Sequence, residues 1–288
     1  MKKSLVTLLA ISMCAVMLAG CGASKDTAAT TDTQADTAAT TETTDTTASD
    51  ESAQDTAAAS AVLADGVLTV GTNAEFPPFE YVGDDGQPDG FDMALIKAIG
   101  DKMGVEVKIE NMEFASLVSS IGNKIDVAIA GMTVTDERKE VVDFSDSYYD
   151  AVQYVIVPAD SSIGTAEDLV GKTIGVQLGT TGDFIAQDIE GSTVSSYNKA
   201  VDAVNDLLNG RSDLVIVDKN PALVFAGMYP DDVVALDGAQ FGFEVENYAI
   251  AMPKGDAELA DAINNAIKEL KADGTFDKLV AEYIEGSN

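Results

Sequence analysis

The stretch Ala130–Ser145, AGMTVTDERKEVVDFS, holds one of only two arginines in a chain that carries 17 basic and 49 acidic residues. Arg138 comes five residues after Thr133 and seven after Gly131, where an apolar run gives way to a turn and a short charged segment. Apart from Arg211, lysine fills every other basic position. A guanidinium differs from an ammonium in offering a planar fork of donors, which matches a carboxylate with two parallel hydrogen bonds. A solvated helix residue would account for the spacing equally well. The role of this arginine is therefore decided by what surrounds it.

Immediately upstream, IDVAIAG (125–131) is a strand by its apolar run, preceded by a short helix in FASLVSSI and an alternating strand in VEVKIE. Before these, VLTVGT (67–72) is a buried strand. Phe91, Leu95, Ile99 and Met103 follow at intervals of four on one helical face. After Pro158 the pattern begins again. KTIGVQ is a strand, TTGDFIAQDIE and KAVDAVNDLLNG are helices, and DLVIVD is a strand ending at Asp218. The chain closes with a strand in NYAIAMP and helices from Asp256 to Lys271 and from Phe276 to about Ile284. Strands alternating with helices imply two α/β units with largely parallel sheets. The segments around Gln153 and Asn247 are the expected crossings between them, so the first unit contains chain on either side of the second. Two such connections suit a hinge that closes a cleft.

Composition limits the partners. At 288 residues the chain suits a tether and two modest domains. A formal net charge of −32 leaves no basic stripe for nucleic acid and disfavours direct contact with an anionic membrane. There is no histidine, which excludes histidine-dependent nucleophilic triads and removes the commonest metal ligand. No cofactor is expected, and acidity favours a monomer.

The N-terminus reads as an export signal over residues 1–20: Lys2 and Lys3, an apolar run from Leu5 to Leu18, then LAGC ending at Cys21. The run is too short to span a bilayer as a stable helix. LAGC resembles the lipobox of bacterial lipoproteins, which implies lipid attachment at Cys21 and anchoring to the outer face of the cell membrane. Residues 21–65 are rich in Thr, Ala and Asp and poor in large apolar side chains, the composition of a disordered tether. A flexible chain of that length would have an end-to-end distance of about 35 Å. Cys14 would leave with the signal and Cys21 would be blocked by its lipid, so neither a free thiol nor a disulfide is expected in the mature chain.

The ordered set GTNAEFPPFEY, GFDMALIKAIGDKMG, AGMTVTDERKEVVDFS, VQLGTTG and VIVDKNPA resembles family 3 of the extracellular solute-binding proteins, the polar amino-acid capture subunits of ABC importers. The resemblance spans about Gly66 to Ile284; one departure is Ala94, where the family usually has a second acid. It implies a two-lobed fold of the periplasmic-binding-protein type II, with lobe 1 over residues 66–152 and 246–288 and lobe 2 over residues 153–245. It implies further that a polar L-amino acid is held between the lobes and handed to a membrane permease.

The same resemblance assigns roles. Arg138 would clamp the ligand carboxylate, helped by the N–H of Thr133 and by Thr181 after Gly179 at a helix start, where exposed N–H groups favour an anion. Asp218, at the carboxyl end of its strand where an open α/β sheet places a ligand, would take the ammonium together with the Gly131 carbonyl and the Thr133 hydroxyl. Phe76 and Phe114 would flank the ligand side chain. Asn73 stands where cation-selective relatives have Asp, which favours glutamine or another neutral polar amino acid, while Glu75 and Glu113 keep arginine open. An elimination enzyme on the same fold, using Glu75 or Glu113, and a lipid-anchored amino-acid sensor are the alternatives to a transport role.

Overall fold

The structure, a computed structural model, describes residues 65–286. The expected export signal, Cys21 and all of the expected tether but Asp65 lie outside the described residues. Among the described residues no helix is long and apolar enough to cross a membrane.

Two sheets organise two lobes. The first is ordered β5-β1-β6-β14-β7, from β1 (Val67–Thr72), β5 (Glu106–Asn111), β6 (Val127–Ala128), β7 (Val142–Phe144) and β14 (Ala251–Pro253). Strands β5, β1 and β6 run parallel, whereas β14 runs antiparallel to β6 and β7. The second is ordered β10-β9-β11-β8-β12, from β8 (Tyr149–Pro158), β9 (Thr173–Gln177), β10 (Thr193–Tyr197), β11 (Leu214–Asp218) and β12 (Val233–Asp237). Here β10, β9 and β11 are parallel, and β8 is antiparallel to both β11 and β12. Four of the five strands in each sheet therefore run in one direction, as expected, and the one that opposes them, β14 in the first and β8 in the second, is the strand next to a crossing between lobes. A small antiparallel sheet of β2 (Glu75–Phe76), β3 (Glu80–Val82) and β4 (Pro88–Asp89) was not signalled by periodicity.

The expected strand NYAIAMP is in fact two. Strand β13 (Val245–Tyr248) pairs with the first four residues of β8, Tyr248 opposite Tyr149 and Val245 opposite Val152, and β14 then joins the first sheet. The remaining residues of β8, from Gln153 onward, pair with β11 and β12. Strand β6 is also shorter than its apolar run implies, and Ala130 and Gly131, just beyond it, line the site.

Helix α1 (Phe91–Met103) buries Phe91, Leu95 and Ile99 completely on one face, as their spacing requires. It packs against α7 (Ala257–Ala272), which contributes Leu259, Ile263 and Ile267 to the same core. Each such side chain contributes about 1.5–3 kcal/mol through apolar burial, so Ile99→Ala alone is a change of about 2–5 kcal/mol. A second cluster, of Val155, Ile174, Val176 and Ile216, fills the other lobe. These cores fix the strand ends on which the site is built.

Candidate ligand-binding site

The carboxyl ends of β1, β6, β9 and β11 converge on a small, tightly lined cavity. It is lined by Asn73, Phe76, Phe114, Gly131, Thr133, Arg138, Thr181 and Asp218, all named from the sequence. The ninth, Gly179, stands behind Arg138 and is not a wall.

Arg138 lies in the short helix α3 (Asp136–Val141), whose N-cap Thr135 accepts the Arg138 backbone N–H at 3.2 Å. That cap sets where the side chain leaves the backbone. The guanidinium is buried, with the residue only 8% exposed, and rests 5.4 Å from the centroid of the Phe114 ring. Nη1 donates to the Thr133 carbonyl at 2.5 Å and Nη2 to the Gly179 carbonyl at 3.0 Å, so its two recorded acceptors come from opposite lobes. Among the described residues no carboxylate closes to ion-pair distance with it. Burial lowers its pKa to about 10, against the pull of Glu246 and Asp218, and the group stays charged at neutral pH. A buried charge without a counter-ion is destabilising by several kcal/mol unless something else neutralises it. This guanidinium is poised for an anion.

Asp218 faces it from the other lobe. It occupies the N-cap position of α6 (Lys219–Met228), yet its side chain does not cap that helix. Instead Oδ1 accepts the Tyr248 hydroxyl at 2.5 Å. Burial, reinforced by Glu246, raises its pKa to about 7. A carboxylate destabilised in this way gains most from a cation.

Two glycines shape the walls. Gly131 has φ +52°, and a Cβ there would come within 3.0 Å of the Phe76 ring. Its N–H donates to Asp92 Oδ2 at 2.8 Å, as does the Tyr148 hydroxyl, so the acid of the GFD motif holds the loop from behind. Gly179 has φ +76° and donates to Asp183 Oδ2 at 2.9 Å. Thr180 caps α4 (Thr181–Asp188) by accepting the Asp183 N–H at 3.3 Å. The loop that presents Thr181 is thereby held.

Sequence reasoning missed Glu80, Ala130, Gln177 and Thr180 among the lining residues. Glu80 is the consequential omission. It is fully buried at the start of β3, and no N–H or hydroxyl among the described residues donates to either of its oxygens. Burial, and after it the neighbouring Asp92, raise its pKa well above the ordinary value. Burial also raises Asp92, to about 6.

Asn73 is not free to read a ligand on both sides of its amide. Nδ2 donates to the Met112 carbonyl at 3.0 Å and Oδ1 accepts Gln177 Nε2 at 2.8 Å, a hydrogen bond between lobes. Glu75 forms an ion pair with Lys199 at 2.6 Å. Glu75 and Glu113 line an adjacent hollow with Lys199 and not this cavity.

The pattern of family 3 of the bacterial extracellular solute-binding proteins matches residues 68–286. The arginine-binding extracellular protein ArtP of Bacillus subtilis (strain 168) is 36% identical over 225 residues, covering 76% of this chain and 86% of that protein. The L-cystine-binding protein TcyJ of Escherichia coli (strain K12) is 33% identical over 223 residues, covering 76% and 83%. Among solved structures, a P235GK mutant of ArgBP from T. maritima superposes with a TM-score of 0.73 at 43% identity, over 79% of this chain and 99% of that one. A shared sequence pattern, a shared fold and long stretches of identity lead to one conclusion: the chain belongs to family 3 of the bacterial extracellular solute-binding proteins.

Proposed function

We propose that this protein captures a polar L-amino acid outside the cytoplasmic membrane and delivers it to an ABC importer, without catalysis. The observation that carries the reading is the opposition of a buried, carboxylate-free guanidinium, Arg138, to a buried carboxyl of raised pKa, Asp218, in the walls of one cavity. An α-amino acid supplies the complementary carboxylate and ammonium on one carbon. Thr133, Gly131, Gly179 and Thr181 complete the clamp, while Phe76, Phe114 and Asn73 meet the side chain. Residues 66–152 and 246–288 act as lobe 1 and residues 153–245 as lobe 2, and the β8–β13 pair serves as the hinge. Ligand contacts made from both lobes favour the closed form. Cys21 carries the lipid anchor, residues 21–65 form the tether, and the working form is a monomer.

Among polar amino acids the ligand we favour is arginine. Glu80 brings a second carboxyl besides Asp218 into the cavity, and Phe76 and Phe114 offer faces for a guanidinium. Arginine binding by named relatives supports this reading. Glutamine is the second reading, favoured by the neutral Asn73–Gln177 amide pair and by the raised pKa of Glu80.

Calorimetric titration of the chain from Gly22 to Asn288, cleared of co-purified ligand by unfolding and refolding, tests the proposal. The twenty L-amino acids, cystine and ornithine are the panel, with a sugar and phosphate as controls. One-site binding of one or a few amino acids, lost in Arg138→Ala, is the expected outcome. Silence across the panel from a refolded protein would overturn it.

A further inference from the structure

The hydroxyls of Thr133 and Thr181 reach the cavity from opposite lobes, yet both donate to one atom. That atom is Oε2 of Glu246, at 2.5 Å from Thr133 Oγ1 and 2.8 Å from Thr181 Oγ1. Thr181 Oγ1 also accepts from Gln153 Nε2 at 3.1 Å, and the same amide nitrogen lies 3.5 Å from Glu246 Oε2. Glu246 is not a cavity wall. It sits on β13 opposite Ala151 of β8, in the strand pair between the lobes. The Thr133 loop is clipped to that strand by Val134 N–H to the Asn247 carbonyl at 2.9 Å and Ala249 N–H to the Met132 carbonyl at 3.1 Å. Thr133 and Glu246 therefore keep their register.

The proton count determines what these hydroxyls can offer. A hydroxyl has one proton and two lone pairs, whereas an ionised carboxylate only accepts. Because both protons are committed to Glu246, the two oxygens present only lone pairs elsewhere, and Thr181 has already used one on Gln153. A hydroxyl that donates to a carboxylate is also polarised, which makes its oxygen a better acceptor. An ammonium has three donors and no acceptor, so it is the group such oxygens complement. A ligand hydroxyl can donate as well, but without charge.

We propose that Glu246 is a positioning residue for the ammonium subsite: it turns the Thr133 and Thr181 hydroxyls so that the cavity presents acceptors, and it thereby selects ligands that carry a cationic α-amino group. The inference rests on the amino-acid reading above and deepens it. Glu246→Gln keeps the length of the side chain but introduces an N–H₂ that can donate to the threonines. Their protons are then free to turn into the cavity, against the ammonium.

The test compares L-arginine and L-glutamine with their des-amino analogues, which keep the carboxylate and the side chain, by calorimetry on the chain from Gly22 to Asn288. In the unaltered protein the amino acid that binds should exceed its analogue by about 100-fold or more, the scale of a charged hydrogen-bonded group left unpaired. Glu246→Gln should weaken the amino acid by about 10- to 100-fold and leave the analogue within about threefold, so the discrimination collapses. A double-mutant cycle gives the second readout. In a Thr133→Val background, Glu246→Gln should add less than about threefold, because its effect runs through that hydroxyl. Should Glu246→Gln fail to fold by circular dichroism, Thr133→Val alone must show the same selective loss. Equal losses for amino acid and analogue, or full additivity in the cycle, would overturn the proposal while leaving the amino-acid reading intact. An unaltered protein that binds no α-amino acid would overturn both.

Discussion

Arg138 and Arg211 place the same side chain in two regions that treat it in opposite ways. Arg211 projects from the turn between α5 (Ala200–Leu208) and β11, its side chain 63% exposed, and pairs with Asp206 at 2.8 Å. Exposed pairs of this kind contribute about 0–1 kcal/mol and are screened by salt. Arg138 is buried, is held by two backbone carbonyls and an aromatic face, and has no carboxylate at ion-pair distance. The surface neutralises its charge locally; the cavity withholds the counter-ion. On the function proposed above, the ligand carboxylate supplies that partner.

The strongest challenge to this contrast is Arg138→Ala. Removing one side of a buried charged pair weakens binding by about 2–5 kcal/mol, and calorimetry should show at least that loss. Unchanged affinity would abolish the distinction between the two arginines. Arg138→Lys should recover only part, because an ammonium cannot reproduce the fork. Next in size, Asp218→Asn should weaken an α-amino acid by about 10- to 100-fold, read in the same titration, since the amide removes the negative charge that meets the ammonium.

The pH response sharpens the comparison from the acidic side. Asp92 and Asp218 have folded-state pKa values raised to about 6 and about 7 by burial, and Glu80 is raised as well. Their protonated forms are favoured by folding, so this stabilisation is complete below the ordinary carboxylate range, declines above about pH 4, and is gone once the folded values are passed. The melting temperature of the ligand-free protein should therefore fall by several degrees between pH 5 and pH 8, at roughly 2–4 °C per kcal/mol for a body of this size. Amino-acid affinity should move the other way and rise through the same window, because on the proposed reading the ammonium is met by ionised Asp218. A flat affinity profile would show that Asp218 meets no cation. The smallest effect is expected for Arg211→Ala, within about 0.5 kcal/mol in both melting and binding. Matching losses at the two arginines would mean that stability, and not the site, was being read.

The sequence made legible what rests on periodicity or on chemically distinctive residues. The helical face of Phe91, Leu95 and Ile99 and the strands ending at Thr72, Gln177 and Asp218 follow from apolar spacing. Arg138 stood out because it is rare. Glu80 was invisible because a lone acid in FPPFEY looks like any solvated strand residue; its burial is produced by the packing of β3 against α1, over which no local pattern reports. Gln177 and Glu246 escaped for a related reason. Their partners lie 104 residues away, at Asn73, and 113 residues away, at Thr133, and uncharged or exposed-looking residues give no sign of such distant bonds. The break of NYAIAMP into β13 and β14 likewise depends on two different sheets competing for one apolar run.

The route of β8 and β13 has a bearing on how the chain is made. The first sheet is completed only by β14, and the strand pair between lobes joins residues whose contacts span 97 positions, as between Asp150 and Asn247. Long-range pairings of this kind form late, because loop closure must precede them. The second sheet, by contrast, draws all five strands of its order from one continuous stretch, Tyr149 to Asp237. A chain emerging from its N-terminus can therefore finish the second lobe while the first still waits for its last strand and for α7. Until those final residues arrive, the edge of β6 that β14 will pair with stays open, the kind of unpaired strand edge through which incomplete chains associate wrongly.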